Sequence, residues 1–394
     1  MSQWGTPWRR RLPRMAAVAG ALLLGACATV VPRGAAPPAP VAPVVRPDTG
    51  PVVEPGLPSD STRHRIALLV PMTGGNGGIG RSIANATQLA LLDTNNDQLR
   101  ITTYDTATGA AAAADRAIAE GAQLILGPLL ADDVRAVAPL ARRAGVPIIS
   151  FSNDTSVAST GAYLLGNSPA QSIVRVIDYA ADQGITTYGG LVANGVYGQR
   201  ASTAFLRAVE DDKGQVLSLQ TYDRAPASIG AAAVRLGKSA PLGAVLIADS
   251  GMTAANIVPL VRKAGLGSAR ILGVELWNSE ATIAARPTLN GAWFASVSDT
   301  LYRQYAVKYR ARFGAAPYRL SSMGYDAVLL TIRIARDWPV GAPFPEDRLR
   351  DRSGFAGIDG AFRFGRDGIA ERALEVQEIR GGTTVTISPA PGGF

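Results

Sequence analysis

The chain has 394 residues, of which 47% are hydrophobic and 18% charged, a balance that predicts a globular protein long enough for two lobes. The formal charge of +8 falls to about +4 without residues 1–26, because four of the 39 basic residues and none of the 31 acidic ones lie there. No basic stripe with interleaved aromatic residues occurs, so nucleic-acid binding is not expected. A single cysteine, Cys27, excludes a disulfide framework and a thiolate metal cage.

The N-terminus has the three parts of a secretory signal peptide. Arginines precede an apolar run, "MAAVAGALLLGA" at 15–26, whose 12 residues are too few to span a bilayer as a helix. Gly25 and Ala26 then supply the small residues expected at a cleavage site, directly before Cys27. We therefore expect residues 1–26 to be a signal peptide.

The sequence Leu24-Gly25-Ala26-Cys27 resembles the lipobox of bacterial lipoproteins. This resemblance implies that the Cys27 thiol and the new amino group are acylated, as by palmitate, and that the acyl chains form a stable membrane anchor. Ala28 follows the cysteine where an aspartate would retain a lipoprotein at the inner membrane. The expected location is the periplasmic face of the outer membrane.

Residues 27–63 are expected to be a lipid-anchored linker rich in proline and alanine. Proline is dense over 31–62, and no helical or alternating apolar face occurs there. At the polyproline rise of about 3.1 Å per residue, such a tether could extend roughly 100 Å from the membrane.

From Arg65 onward, short apolar runs alternate with segments of helical periodicity. Strands are predicted at 65–70, 99–105, 122–127, 146–150, 188–194, 215–223, 243–249 and 269–276. Helices are predicted at 80–95, 111–121, 131–145, 168–184, 198–212, 228–237, 252–265, 298–313 and 321–336, with short strands near 360–364, 374–379 and 383–387. This order predicts an α/β protein with two doubly wound, parallel-sheet lobes.

Several segments resemble type 1 periplasmic binding proteins of the leucine/isoleucine/valine-binding class. The opening "RIALLVPMTGGNGGIGRSIANATQLALLD", the turn "GPLLADD", the late "FGAAPYRLSSMGYDA" and the closing "IDGAFRFGRDGIAERALEV" follow that family's order and spacing. The resemblance implies a hinge, an interlobe cleft and three crossings between lobes. Lobe one is then expected at 64–166 plus 296–343, and lobe two at 167–295 plus 344–394.

A dinucleotide-binding site is the competing interpretation of the glycine-rich loop. Gly75, Gly77 and Gly80 satisfy GxGxxG, and Asp105 ends the next strand. However, "PMTG" separates the strand from these glycines, and an exported protein would meet little nicotinamide cofactor. A glycine loop at the mouth of the cleft is expected instead.

Catalytic and metal-binding patterns are weak. His64, the sole histidine, is expected to be exposed where the linker meets the first strand, and neither GxSxG nor SxxK occurs. The pairs Asp132-Asp133 and Asp211-Asp212 lie at predicted helix ends, where a structural role is expected. EF-hand spacing does not occur. We therefore expect no enzyme activity, no cofactor and no metal.

Candidate ligand residues follow the strands at their carboxyl ends, where open α/β sheets bind ligands. They are Thr73, Ser150, Ser152, Asn153, Tyr197, Glu275 and Trp277. The resemblance implies that hydroxyls near Ser150 and Ser152 hold a ligand carboxylate and that an acid near Glu275 holds its ammonium. In the turn "GPLLAD", Leu130 or Ala131 replaces a small hydroxyl residue usual in those relatives, which argues against amino-acid binding.

Two functions stay open. The same fold occurs in LppC/LpoA-type lipoproteins, which activate class A penicillin-binding proteins from the outer membrane, and the tether suits that role. This chain matches only their C-terminal domain. The alternative is the solute receptor of an ABC importer for branched-chain or related amino acids. The tether favours the activator.

Overall fold

The computed structural model describes residues 62–280 and 282–393. The predicted signal peptide, Cys27 and nearly all of the predicted linker lie outside the described residues. Within the described ranges, no helix combines the length and the apolar character needed to cross a membrane.

Strands and helices alternate over most of residues 64–263, with two consecutive strands before the fourth helix, and the described part after residue 263 adds seven strands and two helices. The strands are β1 His64–Val70, β2 Leu99–Asp105, β3 Leu124–Leu126, β4 Ile148–Ser150, β5 Ala162–Leu164, β6 Thr187–Ala193, β7 Gln215–Tyr222, β8 Ala244–Ala248, β9 Arg270–Gly273, β10 Trp293–Ser296, β11 Phe355–Gly357, β12 Gly360–Phe364, β13 Ala370–Arg372, β14 Glu375–Arg380 and β15 Thr383–Ser388. The helices are α1 Gly77–Asp93, α2 Ala110–Ala119, α3 Ala131–Ala144, α4 Pro169–Asp182, α5 Val196–Asp211, α6 Pro226–Gly237, α7 Gly251–Lys263, α8 Thr300–Phe313 and α9 Ser322–Ala335.

Lobe one is built on a five-stranded parallel sheet in the order β2-β1-β3-β4-β5. Alternate side chains of β1 enter different cores, because successive residues of a strand point to opposite faces. Ile66 and Leu68 pack with α1 and α9, whereas Ala67 and Leu69 pack with α2 and α3. Both faces of the sheet are covered, which confirms the doubly wound architecture.

Lobe two contains a seven-stranded sheet in the order β15-β14-β10-β9-β8-β6-β7. Strands β6 to β10 are mutually parallel, and the hairpin β14-β15 adds antiparallel strands at one edge. Helix α4 opens this lobe: Ser168 caps its N-terminus, and Ile173, Val176 and Ile177 face the core.

The late antiparallel sheet β11-β12-β13 belongs by packing to lobe one. Phe355, Phe362 and Phe364 join the core that contains β1 and α9, as do Phe344 and Leu349 before them. The expected boundary assigned all of 344–394 to lobe two. In the structure the chain instead passes from lobe one to lobe two between β13 and β14, because the aromatic side chains of 355–364 are buried against lobe one.

Two glycines let a helix approach the strand before it. A Cβ at Gly80 would lie 1.9 Å from the carbonyl oxygen of Pro71, and one at Gly198 would lie 1.8 Å from that of Ala193. They occupy corresponding positions, in the first turns of α1 and α5. The last glycine of the GxGxxG pattern is therefore required by helix packing within the fold.

The expectation that His64 is exposed is wrong. His64 is 1% exposed, and its ring stacks on Trp338 with centroids 3.7 Å apart. Burial lowers the pKa of the imidazole. The side chain is part of the packing beneath the end of α9.

Candidate functional site

A cavity of about 300 Å³ lies between the two lobes. Lobe one contributes the loop before α1, the turn after β3, the segment after β4 and the start of α9, and lobe two contributes α4 and the segment after β9. The lining residues are Asn76, Ile79, Leu129, Leu130, Phe151, Asn153, Asn167, Ser168, Gln171, Glu275, Leu276, Asn278, Ser279, Ser296, Val297, Arg319, Leu320, Ser322, Met323, Arg372 and Leu374. The volume suits a small molecule.

Glu275 lies on the cavity wall, and both of its carboxylate oxygens have partners from lobe two. Tyr197 donates to Oε1 at 3.0 Å, and the Ser172 hydroxyl donates to Oε2 at 2.7 Å. Burial raises the pKa of Glu275 to about 6, against the opposing effect of these two donors. The carboxylate that the resemblance assigned to a ligand ammonium is thus already hydrogen-bonded.

The hydroxyls of Ser150 and Ser152 are also engaged by neighbouring backbone. Ser150 Oγ donates to the carbonyl of Pro128 at 2.8 Å and accepts from the Ser152 N–H at 3.0 Å. Ser152 Oγ accepts from the N–H of Asp154 at 3.1 Å. These hydroxyls fix the loop after β4, and neither residue lines the interlobe cavity.

Thr73 and Trp277 lie away from the cavity. Thr73 is exposed and donates to Oδ2 of Asp105, which also accepts from two backbone N–H groups through Oδ1. Asp105 is therefore already hydrogen-bonded within the protein. The dinucleotide interpretation requires this carboxylate to bind a ribose, so the structure argues against it. Trp277 is fully buried in lobe two, where its indole N–H donates to the carbonyl of Asp249 at 3.1 Å.

Asn153 lines both the interlobe cavity and a smaller neighbouring cavity of about 250 Å³. Ser152 and Tyr197 line only the smaller one. At its rim, Arg200 of lobe two forms a salt bridge with Asp154 of lobe one, and Arg135 binds the other oxygen of Asp154 at 3.1 Å. This contact joins the lobes across the mouth of the cleft.

Two buried arginines in the cavity wall were not anticipated from the sequence. Arg319 has a 10% exposed side chain, pairs with Asp359 at 2.6 Å and stacks on the ring of Tyr302 at 3.9 Å. Arg372 is 7% exposed, and its Nη2 donates to the carbonyl of Leu165 at 2.7 Å. Arg372 lies among apolar residues in "IAERALEV", and this position was the one sequence feature that could have indicated its burial. The pattern of a strand alone does not show which of its side chains are buried.

Asp299, Asp326 and Asp359 supply the negative charge of this cluster. Asp326 is fully buried and accepts from the N–H groups of Ile358 and Asp359 at 2.6 and 3.3 Å. Burial and the neighbouring Asp359 raise the pKa of Asp326 to about 7. The two arginines therefore face three carboxyls, because Asp299 also pairs with Arg319 at 3.4 Å.

Among residues 62–280 and 282–393, no group of three or more His, Cys, Asp or Glu side chains could hold a metal ion. The cavity brings together apolar groups, amides and two guanidinium groups, a combination that can bind a ligand.

Solved structures with the same fold include two kinds of protein. A candidate branched-chain amino acid ABC transporter protein from Rhodospirillum rubrum is 20% identical, with a TM-score of 0.74, covering 82% of this chain and 100% of that one. The C-domain of LpoA from Haemophilus influenzae, a regulator of PBP1A, is 18% identical, with a TM-score of 0.64, covering 82% and 99%. Full-length LpoA from the same organism has a TM-score of 0.64 and 19% identity, but the match covers only 59% of it.

A curated relative, an uncharacterized protein of Rickettsia prowazekii, is 24% identical over 179 residues. The match covers 45% of this chain and about half, 48%, of that protein. A family model described as periplasmic binding protein matches residues 64–383, which include both lobes and the cavity between them. The chain belongs to the periplasmic binding protein family.

Proposed function

We propose that this protein is a lipid-anchored, non-enzymatic regulator of a peptidoglycan synthase, a class A penicillin-binding protein, and that it acts from the periplasmic face of the outer membrane. The observation that carries the proposal is the engagement of the polar groups that an amino-acid receptor would use. Glu275 is held by Tyr197 and Ser172, and the hydroxyls of Ser150 and Ser152 are held by backbone.

Tyr197 and Ser172 take two of the roughly four acceptor sites of the Glu275 carboxylate, and the Ser150 hydroxyl already both donates and accepts, so fewer polar sites are left for an amino acid. These hydrogen bonds therefore favour a role in which the protein does not carry an amino acid in the cleft.

The N-terminal sequence supports the same proposal. A lipobox ending at Cys27, followed by a proline-rich tether, would hold the domain at the outer membrane while letting it extend toward the cell wall. The similarity to the LpoA C-domain over 99% of its length adds a precedent for a regulator with this fold.

A solute receptor for an ABC importer is the second candidate. The cavity of about 300 Å³ between the lobes favours it, as does the similarity to the Rhodospirillum rubrum protein. This candidate requires a ligand that is recognised without the ammonium contact of Glu275.

Affinity capture distinguishes the two candidates. The full-length, lipidated protein is cross-linked in cells, solubilised and purified, and its partners are identified by mass spectrometry. The proposal predicts recovery of a class A penicillin-binding protein. A Cys27→Ser variant, which cannot be acylated, is the matched control and should lose that partner. Recovery of an importer permease without a synthase would contradict the proposal.

A further inference from the structure

Helix α8 of lobe one carries more positive charge than the fold requires. Four of its 14 residues are basic and none is acidic, and no aspartate or glutamate occurs anywhere in residues 300–325. Arg303 lies in the first turn of the helix, where the helix dipole disfavours a cation. Helix stability therefore does not account for this charge.

The aromatic side of α8 packs into the core of lobe one. Tyr305 and Tyr309 are each 3% exposed. The Tyr305 hydroxyl is hydrogen-bonded to the hydroxyl of Ser321 at 2.6 Å, and the Tyr309 hydroxyl accepts from the amide of Asn85 at 3.1 Å. These contacts fix the rotation of α8 about its axis, so the opposite side of the helix faces outward.

The outer face of α8 consists of exposed residues that are three or four positions apart and therefore share one side of the helix. They are Arg303, Gln304, Val307, Arg310 and Ala311. Val307 is 71% exposed and lies between the two arginines along the helix. The outer face thus presents an apolar side chain flanked by two cations.

The charges of Arg303 and Arg310 are not balanced within the described part of the chain. Lys308, on the side toward α1, binds Asp93 at 2.9 Å. Neither arginine forms a salt bridge or a side-chain hydrogen bond with another described residue. Because guanidinium groups pair well with carboxylates, the outer face can receive an acidic partner.

The charge and the width of the outer face indicate the kind of partner. A two-fold contact with a second copy of this chain would bring like charges together. A helix that lies on a membrane presents a broad apolar face, whereas the apolar part here is Val307 with the methyl group of Ala311. This narrow stripe favours a protein segment that carries carboxylates beside an apolar residue.

We propose that the outer face of α8 is the docking surface for an acidic segment of the peptidoglycan synthase. The identity of this partner rests on the function proposed above. In the complex, Arg303 and Arg310 pair with carboxylates of the segment, and an apolar side chain of the segment covers Val307. Such a contact orients the two proteins and makes their affinity dependent on salt.

Biolayer interferometry tests the proposal with the full-length, lipidated protein in detergent and the purified class A penicillin-binding protein of the same organism. Arg303→Glu combined with Arg310→Glu should weaken binding by at least about tenfold, because each change places a carboxylate opposite a carboxylate. The matched control is Arg143→Glu combined with Arg207→Glu, which changes the net charge equally at exposed positions and should bind as the unaltered protein does. Raising NaCl from about 50 to 300 mM should weaken binding of the unaltered protein more than that of the α8 variant.

Site-specific photocross-linking gives a second measurement, which leaves both arginines in place. Val307→benzoylphenylalanine should cross-link to the synthase. Val234→benzoylphenylalanine, on α6 of lobe two, should not, although Val234 is also well exposed, at 61%. The synthase peptides recovered from the Val307 cross-link should be rich in aspartate and glutamate.

The outcomes distinguish this inference from the proposed function. If the unaltered protein does not bind the synthase, both are overturned. If it binds and the α8 variant binds equally well, or if Val234 cross-links and Val307 does not, only the docking surface is overturned. Two further results would also overturn it by assigning the outer face to another occupant: a dimer that the α8 variant abolishes in sedimentation velocity, or binding to phosphatidylglycerol vesicles that the variant abolishes while synthase binding is unchanged.

Discussion

The Tyr197 hydroxyl donates a 3.0 Å hydrogen bond to Oε1 of Glu275, so lobe two itself holds the carboxylate on the wall of the cleft. With Ser172 on the other oxygen, the acid is satisfied without a ligand. This relationship has a measurable consequence for stability.

Glu275→Gln should make stability less dependent on pH. The pKa of Glu275 is about 6 in the folded protein and 4.5 in the reference state, so folding favours its protonated form. Its contribution is therefore fully present below pH 4.5 and is lost as pH rises through 6, by about 2 kcal/mol. Chemical unfolding between pH 4 and 8 should show this loss in the unaltered protein and a flatter profile in the variant. Parallel profiles would contradict the assignment.

The contact between Arg200 and Asp154 should help to hold the lobes together. Both side chains are partly buried, at 27% and 14% exposure, and they come from different lobes. A double-mutant cycle with alanine at both positions should give a coupling free energy of about 1 kcal/mol. Small-angle scattering should show a larger radius of gyration for Arg200→Ala. Arg207→Ala, an exposed change on the same helix, should leave the radius unchanged.

Gly80→Ala and Gly198→Ala should each destabilise the protein by about 2–3 kcal/mol, because the added methyl group would overlap a backbone carbonyl. The matched control is Gly230→Ala in α6, where a Cβ would meet nothing within 4 Å. That change should instead stabilise by about 0.5–1 kcal/mol, since alanine favours the helix. Equal effects at all three positions, measured by denaturant unfolding, would refute the close-approach explanation.

Asp359→Asn should be strongly destabilising. Asp359 is 1% exposed and accepts from Arg319 and Ser322, so its neutralisation would leave the buried Arg319 guanidinium with only its 3.4 Å contact to Asp299, at a cost of about 3 kcal/mol. Asp351→Asn removes a carboxylate from an exposed pair with Arg333 and should cost less than about 1 kcal/mol. Urea unfolding of the two variants measures the difference, and similar midpoints would be inconsistent with the buried cluster.

Hydrophobic periodicity was sufficient to predict most of the fold. Strands such as β1 and β8 are continuous apolar runs that are buried on both faces, and their helices carry clear apolar stripes. Strands β5, β10, β11 and β13 were missed because three or four residues are too few to show a period. The predicted strand 269–276 ends early at Gly273, where the ring of Trp277 packs against the backbone.

The cleft was harder to predict than the sheets. Glu275, Tyr197 and Asn153 were selected because they follow strand ends, and the structure places them at or beside the cavities between the lobes. Arg319 and Arg372 could not be selected in this way. Their burial depends on Asp359 and Asp326. These carboxyls lie near the arginines because the sheet β11-β12-β13 packs on α9, which the sequence pattern does not show.

The most direct test of the proposed function is a reconstituted peptidoglycan synthesis assay. The rate of glycan polymerisation by the class A penicillin-binding protein of the same organism is measured in detergent with increasing amounts of the purified full-length protein. The proposed role predicts a saturable rise in rate that is absent with heat-denatured protein. An unchanged rate at saturating protein would contradict it.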